Sequence, residues 1–449
     1  MSIHRRLLAL LAVMATVLAA CSGGGATASP SAAESAAASE AAPTAAPSEA
    51  AAEPVTIEWW HITNNDPGKS LWQDIADEFM ADHPNVTIEI TILENDTFKP
   101  KLTTEIQGGH VPDLFQSWGG GGLREQVEAG LLRDITADVA DWAGTMNPGA
   151  MGMYQVDGKQ YAIPFDLGMV GVWYNKDLFE KAGISAPPAT WEEFLADVDK
   201  LKAAGITPAS VGGSPATWTE MFWWAYLALR ECGGDVMTQA TTTNDWTNPC
   251  FVEAGNKLKG LLDKEPFQEG FLAATWDGAG GSAATVAVEK AAMLLQGQWA
   301  PGTMQANTAD QQPVKWALDW FPFPTTGGAG VIDDGFGGGN GIAVGKDAPD
   351  EAIEFLKYFS AKEQAMRLGA LNTGILPVTV GSESSVTDPQ LTSVLEARAK
   401  AQFVQLYLDQ ATTPELGAAI NDAVATLFAG TATPEEVAKA IDDAAKSGG

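Results

Sequence analysis

Tryptophan is abundant, 15 in 449 residues, and several copies stand where the chain must turn. Trp118 directly precedes four consecutive glycines, Gly119 to Gly122, after a segment that reads as a strand, and a core tryptophan there would be poorly covered. Such a glycine run also lets a ligand approach the backbone closely. Trp223 and Trp224 begin a helical stretch after the Trp218 loop, so one can face a cleft while its neighbour packs inward. Trp276-Asp277 precedes a second glycine-rich turn, and Phe336, beside Gly337 to Gly341, can complete an apolar wall. Asn64 and Asn65 follow the first strand, where they either bond a ligand or form a turn with Asp66-Pro67. Flat aromatic faces with amide side chains suit a molecule that has an apolar C–H face and a rim of hydroxyls, as a pyranose has. The alternative for each tryptophan is core packing, which is the better reading for Trp173 and Trp191 inside a strand and near a helix start.

Bond-breaking chemistry lacks its parts. Beyond His4 the histidines are His61, His83 and His110, with no HExxH, no GxSxG and no phosphate loop. A glycoside hydrolase needs a placed pair of carboxylates, and no motif among the 57 acidic residues marks one. The expectation is a protein that is not an enzyme and needs no cofactor or metal. Iron capture commonly uses neighbouring tyrosines, and none of the six tyrosines is adjacent to another. A polyamine, held by carboxylates between aromatics, is the second reading.

The elements that must carry these residues begin after a leader. Arg5 and Arg6 precede an apolar run, Leu7 to Ala20, too short to span a bilayer and typical of a secretory signal. It ends in Leu18-Ala19-Ala20-Cys21, which resembles the lipobox of bacterial lipoproteins and implies a lipid on Cys21. Residues 22 to 54, 33 in all, are nearly all Ala, Ser, Pro, Glu, Gly and Thr and read as a disordered tether. As a coil it would reach roughly 30 Å. The body therefore starts at Val55. Its net charge, −31 for the whole chain and −33 once Arg5 and Arg6 leave, argues against nucleic acid and anionic lipid surfaces. Cys232 and Cys250 remain as a pair, either bridged or buried and reduced.

Val55 to Trp60 alternates as a strand, Leu71 to His83 is amphipathic, and Val86 to Leu93 alternates again, a βαβ pattern that predicts an α/β fold with mainly parallel sheets. Further helices are expected at 98–107, 191–204, 219–231, 251–262, 282–289, 348–359, 411–429 and 434–445.

Across nearly all of residues 55 to 445, motifs accumulate in one order: Pro112-Asp113-Leu114-Phe115, Tyr161-Ala162-Ile163-Pro164-Phe165-Asp166, Val172-Trp173-Tyr174-Asn175-Lys176, Thr190-Trp191-Glu192-Glu193-Phe194, Gly297-Gln298-Trp299 and Gly341-Ile342-Ala343-Val344. Together they resemble the extracellular solute-binding proteins of sugar ABC importers, the maltodextrin-binding-like family. The resemblance implies a two-lobed periplasmic-binding-protein fold, each lobe a mainly parallel sheet flanked by helices, joined by a multi-strand hinge. By position the crossings fall near Phe165-Asp166, Gly339-Asn340 and Thr373-Gly374-Ile375, so one lobe is 55–165 plus 340–373 and the other 166–339 plus 374–449. It also implies that Trp299 stacks on ligand from the second lobe and that Asp166, at the hinge, accepts two hydroxyls. The charged contacts of maltodextrin binders have no counterpart after Trp118 or at Gly168, which favours an oligosaccharide other than maltose. The implied partners are an oligosaccharide, the transmembrane subunits of an ABC permease and, through the lipid, the outer face of the bacterial cell membrane, for a monomer that binds no nucleic acid.

Overall fold

The computed structural model describes residues 53–448 apart from Ala216; the expected leader, Cys21 and the expected tether up to residue 52 lie outside the described residues. Among those residues no helix is long and apolar enough to cross a membrane.

Strand β1 (Val55–His61), helix α1 (Gly68–Asp82) and β2 (Val86–Ile92) form the expected βαβ unit, with β1 and β2 parallel from Val55 opposite Val86 to His61 opposite Ile92. Trp72, Ile75, Ala76 and Phe79 of α1 recur at three- and four-residue steps and are the buried face of that helix. Trp72 stacks on Trp59 of β1 with ring centroids 5.1 Å apart, and Phe355 and Phe359 close the cluster edge-on. Each fully buried aromatic of this kind contributes about 1.5–3 kcal/mol. Helix α2 (Asn95–Gln107) follows, capped by the Glu94 side chain, which accepts from the Asp96 backbone N–H at 2.9 Å. After β3 (Leu114–Ser117) the chain reaches β4 (Ala162–Met169) and, one residue later, β5 (Gly171–Asn175).

The second half contributes β6 (Ala209–Ser210), α3 (Trp218–Thr243), α4 (Cys250–Leu262), β7 (Met293–Gln296), β8 (Leu318–Phe321), β9 (Gly335–Val344) and β10 (Val404–Leu406). One sheet runs β10-β9-β3-β1-β2, with β4 also along β9; the other runs β8-β5-β7-β6. Helices flank both sheets, as expected, at 191–203, 350–359, 414–428 and 434–448 among others. The sheets differ from the expectation in strand direction. The first keeps parallel β2-β1-β3 pairs, but in the second β5 is antiparallel to both β7 and β8 and only β6 and β7 are parallel. Strands β6 and β7 are joined through helices, the long connection that parallel neighbours need. Strand β5 instead inherits its direction from β4, which enters straight from the first sheet.

Strand β9 shows how the two sheets are joined. Its first residues, Gly335 to Gly337, pair with β10; its last, Gly341 to Val344, pair with β3; β4 runs beside nearly its whole length. Where the two halves meet, the register slips, so that Asn340 faces Asp166 but Gly341 faces Pro164.

Around α3 lies the largest core, containing Trp223, Trp224, Tyr226 and Trp246. Cys232 of α3 and Cys250 of α4 are disulfide-bonded, with Cα atoms 5.2 Å apart. Gly233, at φ 75°, breaks the helical path immediately after the bridge. Beside it Arg230 is fully buried, and its guanidinium donates to the carbonyls of Phe323 (2.9 Å), Asp334 (2.8 Å), Pro324 and Ile332 (both 3.3 Å). One side chain thereby fixes the loop that leads into β9. Arg230→Met keeps the bulk and removes the donors, leaving buried carbonyls unpaired at a cost of about 2–4 kcal/mol. Urea unfolding followed by tryptophan fluorescence should show the lower midpoint; an unchanged midpoint would mean that water replaces the guanidinium without loss.

Candidate functional site

The chain encloses a cleft of about 830 Å³ where the rims of the two sheets face each other. From the first sheet come Asn64 and Asn65 after β1, the opening turns of α2, and Trp118 after β3; from the other side come Trp218, Trp276, Trp299 and Tyr407. Asp166, Gln298 and Asn340 line it where the strands cross.

The aromatic residues form two groups. Trp118, half-buried, meets Phe98 edge-on at 5.8 Å, and the Lys99 ammonium lies 5.1 Å from its ring centre. Opposite, Trp218 touches Phe222 (5.0 Å), Trp276 (5.5 Å) and Trp299 (6.3 Å), and Trp299 meets Tyr407 at 6.1 Å. Trp218, Trp276 and Trp299 are each half-buried, so part of each ring remains available to a ligand. Gly297 sets the position of Trp299, because a Cβ there would fall 2.1 Å from the indole.

The glycine run after Trp118 serves a different contact from the one expected. A Cβ on Gly120 would lie 2.2 Å from the Gln410 carbonyl oxygen, and one on Gly121 1.9 Å from that of Thr412. The close backbone approach at these two positions is that of the protein's own segment 410–412.

Asp166 is 3 % exposed. Asn340 donates to it through its backbone N–H (2.6 Å) and its amide (2.9 and 3.1 Å), and the Gln298 amide donates at 3.3 Å. Burial pushes its pKa up to about 6 against the pull of these donors. Much of its accepting capacity is therefore already used inside the protein, which leaves less for hydroxyls than the resemblance implies.

Of the residues singled out in the sequence, Asn64, Asn65, Trp118, Asp166, Trp276 and Trp299 line the cleft. Trp223 and Phe336 do not. Trp223 is 1 % exposed and packs on Phe194, Phe267 and Phe323, while Phe336 is fully buried against Phe222, Tyr226 and Tyr407. The helical repeat explains the first correction: Trp218 and Phe222, four apart, share the cleft-facing side of α3, and Trp223 falls on the other side. Its neighbour Trp224 is buried as well. For Phe336 the neighbouring strands and α3 enclose the ring completely. The Trp218/Phe222 spacing was a readable signal; Tyr407 had none, because only the fold brings residue 407 to residue 299.

Glu220, on the first turn of α3, is 1 % exposed, and neither carboxylate oxygen has a hydrogen-bond partner among the described residues. It sits under the Leu272 turn, where a Cβ on Gly213 would come within 2.7 Å of its Oε1. Burial raises its pKa to about 8.

Two sheet-centred lobes around an aromatic-lined cleft, joined where strands cross, define a trap for a small solute. The chain belongs to the bacterial extracellular solute-binding proteins, matching that family over residues 63–366. It is 29 % identical over 204 residues to a putative binding protein of Brucella abortus (strain 2308), an alignment covering 44 % of this chain and 48 % of that protein. It is 26 % identical over 302 residues, 65 % of each chain, to the multiple sugar-binding protein of Streptococcus mutans. The chain thus spans about half to two thirds of the length of these curated relatives. A solved structure concerned with xylan utilization by the thermophilic bacterium Caldanaerobius polysaccharolyticus superposes with a TM-score of 0.78 at 28 % identity, covering 86 % of this chain and 99 % of the other.

Glu220 gives a pH test of the wall it supports. A carboxyl whose folded pKa is raised from 4.5 to about 8 gives stability that is present below 4.5 and lost as pH rises through 8. Wild type should lose stability over that range and Glu220→Gln should lose less, measured as thermal midpoints in matched buffers; parallel curves would show that the carboxyl reaches water.

Proposed function

We propose that this protein is the substrate-binding component of an ABC importer, capturing an oligosaccharide outside the cell and delivering it to the permease. The observation that carries this reading is the opposition of Trp118 to the Trp218, Trp276 and Trp299 group across a cleft lined by Asn64, Asn65 and Gln298. Half-exposed indole faces suit C–H surfaces, and amides both donate and accept, as sugar hydroxyls do. The volume, about 830 Å³, is near the upper end of small-molecule sites at roughly 300–1,000 Å³, which favours more than one pyranose. Relatives named for sugar binding and xylan utilization support the same class.

In this reading the lobes are 55–165 plus 340–373 and 166–339 plus 374–449, and the register slip at Asn340 supports a hinge there. A ligand closes the lobes only through contacts to both walls at once, since one held equally by open and closed forms shifts nothing. The protein works by binding and release, not by a reaction. A signal peptide and a lipid on Cys21 would place it on the outer face of the cell membrane, with residues 22–54 as the tether.

Calorimetric titration with xylo-, malto-, galacto- and chito-oligosaccharides, alongside spermidine, tests the cargo. Saturable binding to a glycan is expected, and Trp299→Ala should weaken it at least tenfold, in line with loss of about 1.5–3 kcal/mol of ring contact. Binding to spermidine alone would overturn the sugar reading. Separately, Cys21→Ser should release the protein from membranes with glycan affinity unchanged; a variant that still sediments with membranes would remove the lipid anchor.

A further inference from the structure

Across the cleft, α2 bonds to the wall it faces. The Trp218 indole N–H donates to Asp96 Oδ1 at 3.3 Å. A second link, between Lys99 Nζ and Asp409, spans 3.2 Å. Asp96 is itself braced: its backbone N–H donates to Glu94 Oε2, and the Asn95 amide donates to its Oδ1, both at 2.9 Å.

Trp218 is the ring on which the opposite wall converges, since Phe222, Trp276 and Trp299 all contact it. An indole can turn about two side-chain bonds, so its plane is set only if something holds its edge. The hydrogen bond to the Asp96 carboxylate does that. Helix α2 belongs to the first sheet, between β2 and β3, whereas Trp218 and Trp276 lie between β6 and β7 of the second. The Trp218–Asp96 bond therefore runs from one rim to the other.

We infer that Asp96, braced by Glu94, is a positioning residue that orients the Trp218 platform from the opposite lobe, so that the aromatic wall is set by contact between the lobes. This rests on the cleft being the solute site proposed above. It also assigns the ring a role: with its N–H engaged by the protein, Trp218 presents a face, not a donor, to the cargo. Ligand hydroxyls must then find their partners elsewhere, at the amides of Asn64, Asn65 and Gln298.

The test uses the full chain in four forms, Asp96→Ala, Asp96→Asn, Trp218→Phe and the double variant Asp96→Ala/Trp218→Phe. Glycan affinity is measured by calorimetry, and the indole N–H signals are followed in ligand-free, 15N-tryptophan-labelled protein. Asp96→Ala and Trp218→Phe should each weaken binding about tenfold, the size of one charge-assisted hydrogen bond. Asp96→Asn, which keeps an acceptor oxygen, should restore most of the loss, and the double variant should bind no more weakly than Trp218→Phe alone. In the free protein the Trp218 signal should move in Asp96→Ala and stay near its wild-type position in Asp96→Asn. Additive losses in the double variant, or a Trp218 signal unmoved by Asp96→Ala, would overturn the inference. Should wild type bind no glycan, the solute reading fails, and the ligand-free indole signal still decides the role of Asp96.

Discussion

Asp166 lies buried where β4 passes β9, and a carboxylate in that position must be satisfied from within. Asn340 meets one oxygen with backbone and amide together, and Gln298 and Asn340 share the other. These partners come from β9 and from the turn after β7, so one charge holds three separate chain segments in register. The slip between Asn340 and Gly341 is the geometric consequence, since the extra residue on β4 lets Asp166 face Asn340 while the rest of the strand keeps its pairing. Everything the cleft presents is placed relative to this crossing. Trp299 follows Gln298 directly, and Asn340 itself faces the cavity.

The walls show how large apolar faces are kept available to solvent. Half-exposed indoles would collapse on one another unless their backs were fixed, and two kinds of fixing are present. On one side rings brace rings, Trp218 against Phe222 and Trp299 against Tyr407, with Tyr407 stacked in turn on Phe222 at 5.3 Å. On the other, Phe98 and the Lys99 ammonium hold Trp118. Elsewhere on α3 lie a fully buried Arg230, whose guanidinium donates to carbonyls and lies over the Tyr226 ring, and a Glu220 whose carboxylate has no hydrogen-bond partner among the described residues. An unpaired buried carboxyl costs stability, and the large core around α3 can absorb that cost.

Much of the α/β architecture was legible because its signals are local. The α1 face of Trp72, Ile75 and Phe79 is a plain helical repeat, and the helix at 191–203 is announced by Thr190 and Glu193, which form a reciprocal capping box. Cleft residues at strand ends, Asn64, Trp118 and Trp299, were legible for the same reason: a tryptophan or amide at a turn has little to bury it locally. Strand direction in the second sheet was not, because β5 takes its orientation from a strand in the other sheet. Neither was the burial of Phe336, which depends on residues 222, 226 and 407 arriving together.

By itself, then, the sequence determined which residues could do the work: aromatic faces and amides at turns, an acidic body without catalytic motifs, and a succession of helices and strands from residue 55 onward. Tertiary structure decided which of those residues meet. It buried Trp223 and exposed Trp218 five positions earlier, because helix α3 turns one face to the core and one to the cleft. It also brought Asp96 to Trp218 and Asp409 to Lys99, pairs separated by 122 and 310 residues. Local propensity carries no record of such distances; they are closed only by the crossing of strands that joins the two lobes.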